Sequence, residues 1–325
     1  MIKIPKMHHG GIMTNYECNA ACRHCLYACS PDRSSGYISP QGAEEVCRLL
    51  VEGGCRSVHI GGGEPFLNFD GLINLLETAK KFRISVEYVE TNGFWAAEPE
   101  KAKQYLKALL KTGADTLCIS LDPFHAEYVP YSLPLKLAEL CRSVGFGYFL
   151  WQERFLRPMA DVTPNKPHNR KALERQISPN YILDTAQSYG IGMGGRAINI
   201  ELEYNSKHPI NKIISNQPCR GLLSTNHFHI DLHGNFIPPG CTGIAIPLGN
   251  LLNGLQEGKY PVFEALLTGG VANLLDFATK KGFTPDENYA SNCALCFFIR
   301  KWLSENAECP ELDVEHYTAS FDFYD

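Results

Sequence analysis

The chain has 325 residues, 20% of them charged, and a formal net charge of −5. Its acidic and basic residues are interspersed, so no basic stripe for nucleic acid or anionic lipid is visible. The start, Met1-Ile2-Lys3-Ile4-Pro5-Lys6-Met7, lacks the apolar core of a signal peptide, and no run approaches the ~18 apolar residues of a membrane span.

Thirteen cysteines, an odd number without an export signal, point to thiols and metal ligands in a reducing, cytoplasmic setting rather than to a disulfide framework. The length suits a large α/β unit with a smaller appendage. The apolar run Gly11–Tyr16 reads as a strand and leads into Cys18-Asn19-Ala20-Ala21-Cys22-Arg23-His24-Cys25. This C-x3-C-x2-C spacing brings three thiolates onto one small inorganic cluster. An ordinary [4Fe–4S] cluster takes four, so the fourth iron needs another ligand. Cys29 and Pro31 also approach a ferredoxin run, and a zinc loop is a further alternative.

Ser39-Pro40 sets an N-cap and N1 proline for a helix with Val46, Leu49 and Leu50 on its apolar face, ended by Gly53-Gly54. A strand at 57–60 follows. Helices near 72–82, 101–110 and 133–143 then alternate with strands at 86–90, 116–121 and 147–151. A helix at 181–189 and a strand at 197–200 complete a sixth unit. Such alternation predicts βα units around a parallel sheet, without separating a partial barrel from a doubly wound sheet. Cys47, Cys55, Cys118 and Cys141 read as small buried hydrophobes. The basic, proline-broken segment 152–176 leaves a strand C-terminus, where barrel enzymes place their sites, and reads either as a substrate cover or as a solvated loop.

Gly61-Gly62-Gly63-Glu64-Pro65 closes the second strand; its glycines permit close backbone approach to a ligand, and its carboxylate can pair with an ammonium. This turn, one βα unit after C-x3-C-x2-C, resembles the radical S-adenosylmethionine (SAM) superfamily. The resemblance implies a partial (β/α)6 barrel over residues 1–205 and a [4Fe–4S] cluster on Cys18, Cys22 and Cys25. Its open iron is chelated by SAM, which the cluster's electron cleaves to a 5′-deoxyadenosyl radical, and a reductant such as ferredoxin or flavodoxin is implied. His24 corresponds to the residue beside the adenine, and Gly62, Gly63, Glu64 and Pro65 to the amino-group motif. Asn92, Ser120 and Asp122 fall where carboxylate and ribose contacts are placed. Asn92 also reads as a turn residue before Gly93, and Asp122 as a helix N-cap before Pro123. Glu64→Ala or a bulky Gly63 replacement is expected to weaken SAM binding without disturbing the cluster. Gly194-Gly195-Arg196-Ala197 looks like a turn of the same family, with Arg196 also readable as a structural ion pair. His59, His125, His168, His208, His227, His229 and His233 show no metal-ligand spacing, and the pair His227 and His229 reads as structural.

From 206 to 325 the alternation breaks. Cys219 precedes a hairpin signal, His233-Gly234-Asn235, whose return strand brings Cys241 back beside it, and Cys293-Ala294-Leu295-Cys296 offers a close pair. These residues resemble the SPASM and "twitch" extensions, although too few cysteines follow Cys296 for the full pattern. One auxiliary [4Fe–4S] cluster on Cys219, Cys241, Cys293 and Cys296 is expected, with Cys309 spare or a rival ligand, and structural zinc as the alternative. The reaction implied is oxidation or cross-linking in peptide or protein maturation. A small-molecule dehydrogenase and a non-enzymatic electron carrier are the rivals. With the cysteine loop this near the start, a separate peptide-recognition partner is expected.

Overall fold

The computed structural model describes residues 2–33, 36–190, 192 and 194–323. The capping signals act as their chemistry directs. Ser39 Oγ accepts from Gly42 N at the start of α1 (Pro40–Glu52), which buries Ala43, Val46, Cys47, Leu49 and Leu50. Asn68 caps α2 (Phe69–Lys81) in the same way, and Gly113 and Gly145 end α3 (Pro99–Thr112) and α4 (Ser132–Val144) in left-handed conformations.

These helices alternate with β1 (Gly10–Met13), β2 (Ser57–Gly61), β3 (Ser85–Thr91), β4 (Thr116–Ser120) and β5 (Gly147–Trp151), all paired in parallel. The interiors of β2 and β4 are buried, as expected for strands covered on both faces. The core is thus α/β with a parallel, partial-barrel sheet.

Its sixth strand is not the expected one. Residues 197–200 belong to α6 (Ala197–Tyr204), which follows α5 (Tyr181–Tyr189), and not to a strand. The apolar run there is buried on every side, so it carries neither a two-residue nor a 3.6-residue alternation to tell strand from helix. The sixth parallel strand is β6 (Phe228–Ile230), which pairs with β1 in the register Gly11↔His229. A hairpin then carries β7 (Asn235–Ile237) and β8 (Ile246–Pro247) antiparallel, giving the order β5-β4-β3-β2-β1-β6-β7-β8. Asp231 closes the hairpin turn by accepting from His233 N and Asn235 N, each at 2.9 Å, with Gly234 at φ +81°. One sheet therefore crosses residue 205.

Segment 152–176 is anchored by a few buried side chains while most of its residues are exposed. It contains a 3₁₀ turn (Glu153–Leu156) and a short helix (Arg170–Gln176), and buries Phe155, Met159, Val162 and Leu173. In the C-terminal part, α7 (Pro261–Lys280) is long and apolar enough to cross a membrane by length and composition, which the sequence reading overlooked. It is two helical pieces, broken where Gly269 and Gly270 leave helical geometry, and it packs against α8 (Asn292–Asn306).

Candidate functional site

The cysteine loop starts where β1 runs out, and its position is set by the turn after β2. Gly63 N donates to Asn15 O at 2.8 Å, Glu64 N to Glu17 O at 3.0 Å, and Asn15 Nδ2 to Glu17 O at 2.8 Å. Gly62 sits at φ +145°, and a Cβ on Gly63 would lie 1.9 Å from Glu17 O. Gly63 is required here because two protein backbones meet, one residue before Cys18. Gly63→Val is therefore expected to lower the melting midpoint and the iron uptake together, since main chain cannot yield as a flexible side chain does. Unchanged iron uptake and midpoint with weakened SAM binding would restore the ligand-cradle expectation.

Glu64 is 1% exposed, and its carboxylate is already engaged. Oε1 accepts from Thr91 Oγ1 at 2.9 Å and Phe66 N at 3.2 Å, and Oε2 from Asn92 N at 2.7 Å. Burial pushes its pKa up to about 7, against the pull of these hydrogen bonds. Pro65 opens a 3₁₀ turn (Pro65–Asn68) and is buried, its carbonyl accepting from Tyr37 Oη. Asn92 Nδ2 donates to Asn19 Oδ1 at 2.7 Å, tying the end of β3 to the cysteine loop.

Cys18, Cys22, Cys25 and Cys29 line one cavity of about 380 Å³ together with His24, Gly62, Gly63, Glu64, Asn92 and Ser120. Nine of the expected cofactor and cluster residues thus converge with one rival, Cys29. Tyr88, Glu90, His125, Trp151 and Tyr189 complete the lining, with His125 and Tyr189 beside His24. Asp122 does not line the cavity. It caps Phe124 N and His125 N, and its other oxygen bonds His125 Nδ1 at 2.5 Å and Tyr189 Oη at 2.6 Å. Burial alone would raise the Asp122 pKa, but the His125 and His24 rings and these hydrogen bonds outweigh it and hold the carboxyl below its usual range. His24 stacks on Phe124 at 5.0 Å, and its Nδ1 is buried without a partner.

Arg196 is fully buried, and its role is to hold the loop rather than to form an ion pair. Nε donates to Cys22 O at 3.1 Å, an Nη donates to Cys29 O, and its backbone N donates to Cys25 O at 3.0 Å. Hydrogen bonds from a charged donor contribute roughly 1.5–3 kcal/mol each. Its place after a loop of several helices hid this role from sequence reading.

The second cysteine group draws on three separate segments of the chain. Cys219 N donates to Leu266 O at 2.9 Å, Cys241 closes the turn after β7 by donating to Pro238 O, and Cys293 and Cys296 occupy the first turns of α8. Burial is the main cause raising the pKa of all four thiols; Cys293 and Cys296 act on Cys219, and Cys219 and Cys293 on Cys241. Arg300, one turn beyond Cys296, lowers each of the four. Its Nη1 is anchored on Thr242 O at 2.9 Å and Tyr317 Oη at 3.0 Å. Cys309 stands apart: its pKa is pushed up to about 11 by burial and Glu311, and none of the four is among its influences.

A histidine group also appears that sequence reading dismissed. His59 and His229 bond through their Nε2 atoms at 3.0 Å, and His229 Nδ1 bonds Tyr27 Oη at 2.8 Å. His229 is satisfied, as expected, whereas His227 lies just outside β6 and faces the cavity. Burial, and next the neighbouring imidazoles, pushes the pKa of His59 down to about 2 and that of His229 to about 3.

Residues 12–147 match the family described as the Radical SAM superfamily. Over 125 residues the chain is 29% identical to the putative peptide biosynthesis protein YydG of Bacillus subtilis, covering 38% of this chain and 39% of that protein. Over 106 residues it is 29% identical to a probable GTP 3′,8-cyclase of Methanococcus vannielii, covering 33% of each. The structure of Streptococcus suis SuiB bound to S-adenosylmethionine aligns at a TM-score of 0.45 and 16% identity, over 84% of this chain and 75% of that one. The matched segments thus span well under half the length of each curated relative.

Proposed function

We infer, from the radical SAM domain that residues 12–147 form, that this chain is an enzyme cleaving SAM reductively and abstracting hydrogen from a peptide. The observation that carries the reading is the single cavity on which Cys18, Cys22, Cys25, Gly62, Gly63 and Glu64 converge. The donor set, three thiolates on one short loop, fits an iron–sulfur cluster.

When bound, a [4Fe–4S] cluster on Cys18, Cys22 and Cys25 supplies the electron for SAM cleavage. The chain's own contribution is placement. A carboxylate offers about four acceptor positions, and Glu64 uses three on Thr91, Phe66 and Asn92, leaving one for the SAM ammonium. His24 presents a ring with a free Nδ1 beside the loop, suited to the adenine. Ser120, at the C-terminal end of β4 as barrel sites require, and Asn92 offer polar groups to carboxylate and ribose. Asp122 acts one layer back by orienting His125 and Tyr189. Residues 206–325 are the extension, in which Cys219, Cys241, Cys293 and Cys296 hold an auxiliary cluster beside the Arg300 cation. A cluster held by these four cysteines would supply an electron acceptor, which favours oxidation or cross-linking.

The peptide reading is supported by similarity to YydG, a putative peptide biosynthesis protein. The reductant is a small electron carrier of the ferredoxin or flavodoxin type, and a separate recognition protein delivers the peptide. Thirteen free cysteines favour a reducing, cytoplasmic setting. The test is anaerobic: iron-loaded, dithionite-reduced protein with SAM should form 5′-deoxyadenosine, and a perdeuterated peptide encoded beside this gene should pass deuterium into it. Formation of 5′-deoxyadenosine without label transfer from any such peptide would return the small-molecule dehydrogenase; no cleavage at all would return the electron carrier.

A further inference from the structure

At the inner face of the sheet, with His227 on the wall of the cavity that the first cysteine group also lines, three histidines from three strand segments converge. His9 precedes β1, His59 lies in β2, and His227 precedes β6; β1 runs between the other two strands. One ring nitrogen of each lies within 4.8 Å of those of the other two. The pleat explains how they meet. His9 and Gly11 point to one face of β1, and His227 and His229 to the corresponding face of β6. Both His59 and His229 pair in register with Gly11. A Cβ on Gly11 would lie 2.4 Å from His59 Nε2 and 2.8 Å from His229 Nε2, so only glycine in the intervening strand lets the rings touch.

We propose that His9, His59 and His227 form a binding site for a divalent metal ion, zinc by preference, whose fourth position opens to the cavity.

The hydrogen bonds assign the ligand atoms. His9 Nδ1 bonds Glu87 Oε1 at 2.9 Å, which leaves Nε2 for the metal. Ser57 Oγ donates to the same carboxylate oxygen, fixing it in place. A carboxylate on the outer nitrogen is the arrangement that orients metal-bound imidazoles and raises their basicity. His59 is 0% exposed; its Nε2 is bonded to His229, while its Nδ1 is buried with no partner. An unpaired polar nitrogen in that setting costs free energy unless something meets it. His227 is exposed to the cavity and offers the third ligand. Three imidazoles with no thiolate select borderline ions such as zinc over magnesium or calcium, and three ligands with one open position are the pattern of a reactive rather than a structural zinc site. The open position would take water or an oxygen donor of a molecule held in the cavity.

The decisive measurement is zinc-edge X-ray absorption on iron-loaded protein equilibrated with zinc and freed of excess, with iron and sulfide quantified alongside. About one zinc per chain in a nitrogen shell at about 2.0–2.1 Å, with no sulfur shell at about 2.3 Å, is expected. His9→Ala/His227→Ala, both outside the core, should weaken zinc binding by roughly a hundredfold or more with iron content and circular dichroism unchanged. Glu87→Gln should weaken it about 10–100-fold. A sulfur shell, zinc retention undiminished in the double variant, or no zinc retained by the wild-type protein would each overturn the site. None of these outcomes bears on SAM cleavage, so the two readings stand or fall separately.

Discussion

Alanine at Cys18, Cys22 or Cys25 is expected to abolish 5′-deoxyadenosine formation and to cost the protein roughly four irons, whereas Cys29→Ala keeps both. The discrimination matters because Cys29 is a real competitor. It lines the same cavity, is 2% exposed, and its backbone N donates to Cys25 Sγ at 3.3 Å. The two thiols are nonetheless unequal. The Cys29 thiol, hydrogen-bonded to Cys25 Sγ, is the largest cause lowering the Cys25 pKa, with Arg196 and the Cys29 backbone N adding to the effect, while that thiol–thiol contact and burial raise Cys29 well above the usual thiol range. The thiolate is the form that ligates iron. Burial raises Cys18 and Cys22 as well as Cys29, so protonation does not separate ligand from rival; the C-x3-C-x2-C spacing does. Iron, acid-labile sulfide and 5′-deoxyadenosine measured on the four single variants decide the matter. A cluster that survives loss of Cys22 but not of Cys29 sinks the assignment.

What was legible in the chain follows the range of the forces involved. Ser39 announces its helix because a cap is a contact across three residues. The cysteine spacing and the turn at 61–65 are equally local, and both lie where expected. A backbone reason for Gly63 was not legible, because the partner that demands it, Glu17 O, is distant in sequence. The strand placed at 197–200 failed because its run is buried all round, and β6 escaped notice as a parallel strand because it is three residues long and pairs with β1, far behind it in the chain. The histidine group was invisible for the same reason. Residues 9, 59 and 227 have no common spacing, and only the strand order brings them across Gly11.

Four irons should remain, roughly half of about eight, when Cys18, Cys22 and Cys25 are replaced together, and replacing Cys219, Cys241, Cys293 or Cys296 in that background should remove them. Cys309→Ala should remove none. The geometry supports this division. The four thiols act on one another electrostatically and all sense Arg300, which is 2% exposed. Cys309 is influenced instead by burial, Glu311 and Lys281. A buried guanidinium beside four thiols has a physical role. It offsets the negative charge that a thiolate-bound cluster brings into a poorly hydrated site, where an unpaired charge costs several kcal/mol. Arg300→Leu would leave that charge uncompensated and should lower auxiliary iron content or shift its reduction potential downward, with the first cluster untouched. Zinc instead of iron in the triple-cysteine variant would mean that the second site is structural. The substrate's electron would then need another acceptor, and the oxidative reaction inferred above would lose its basis.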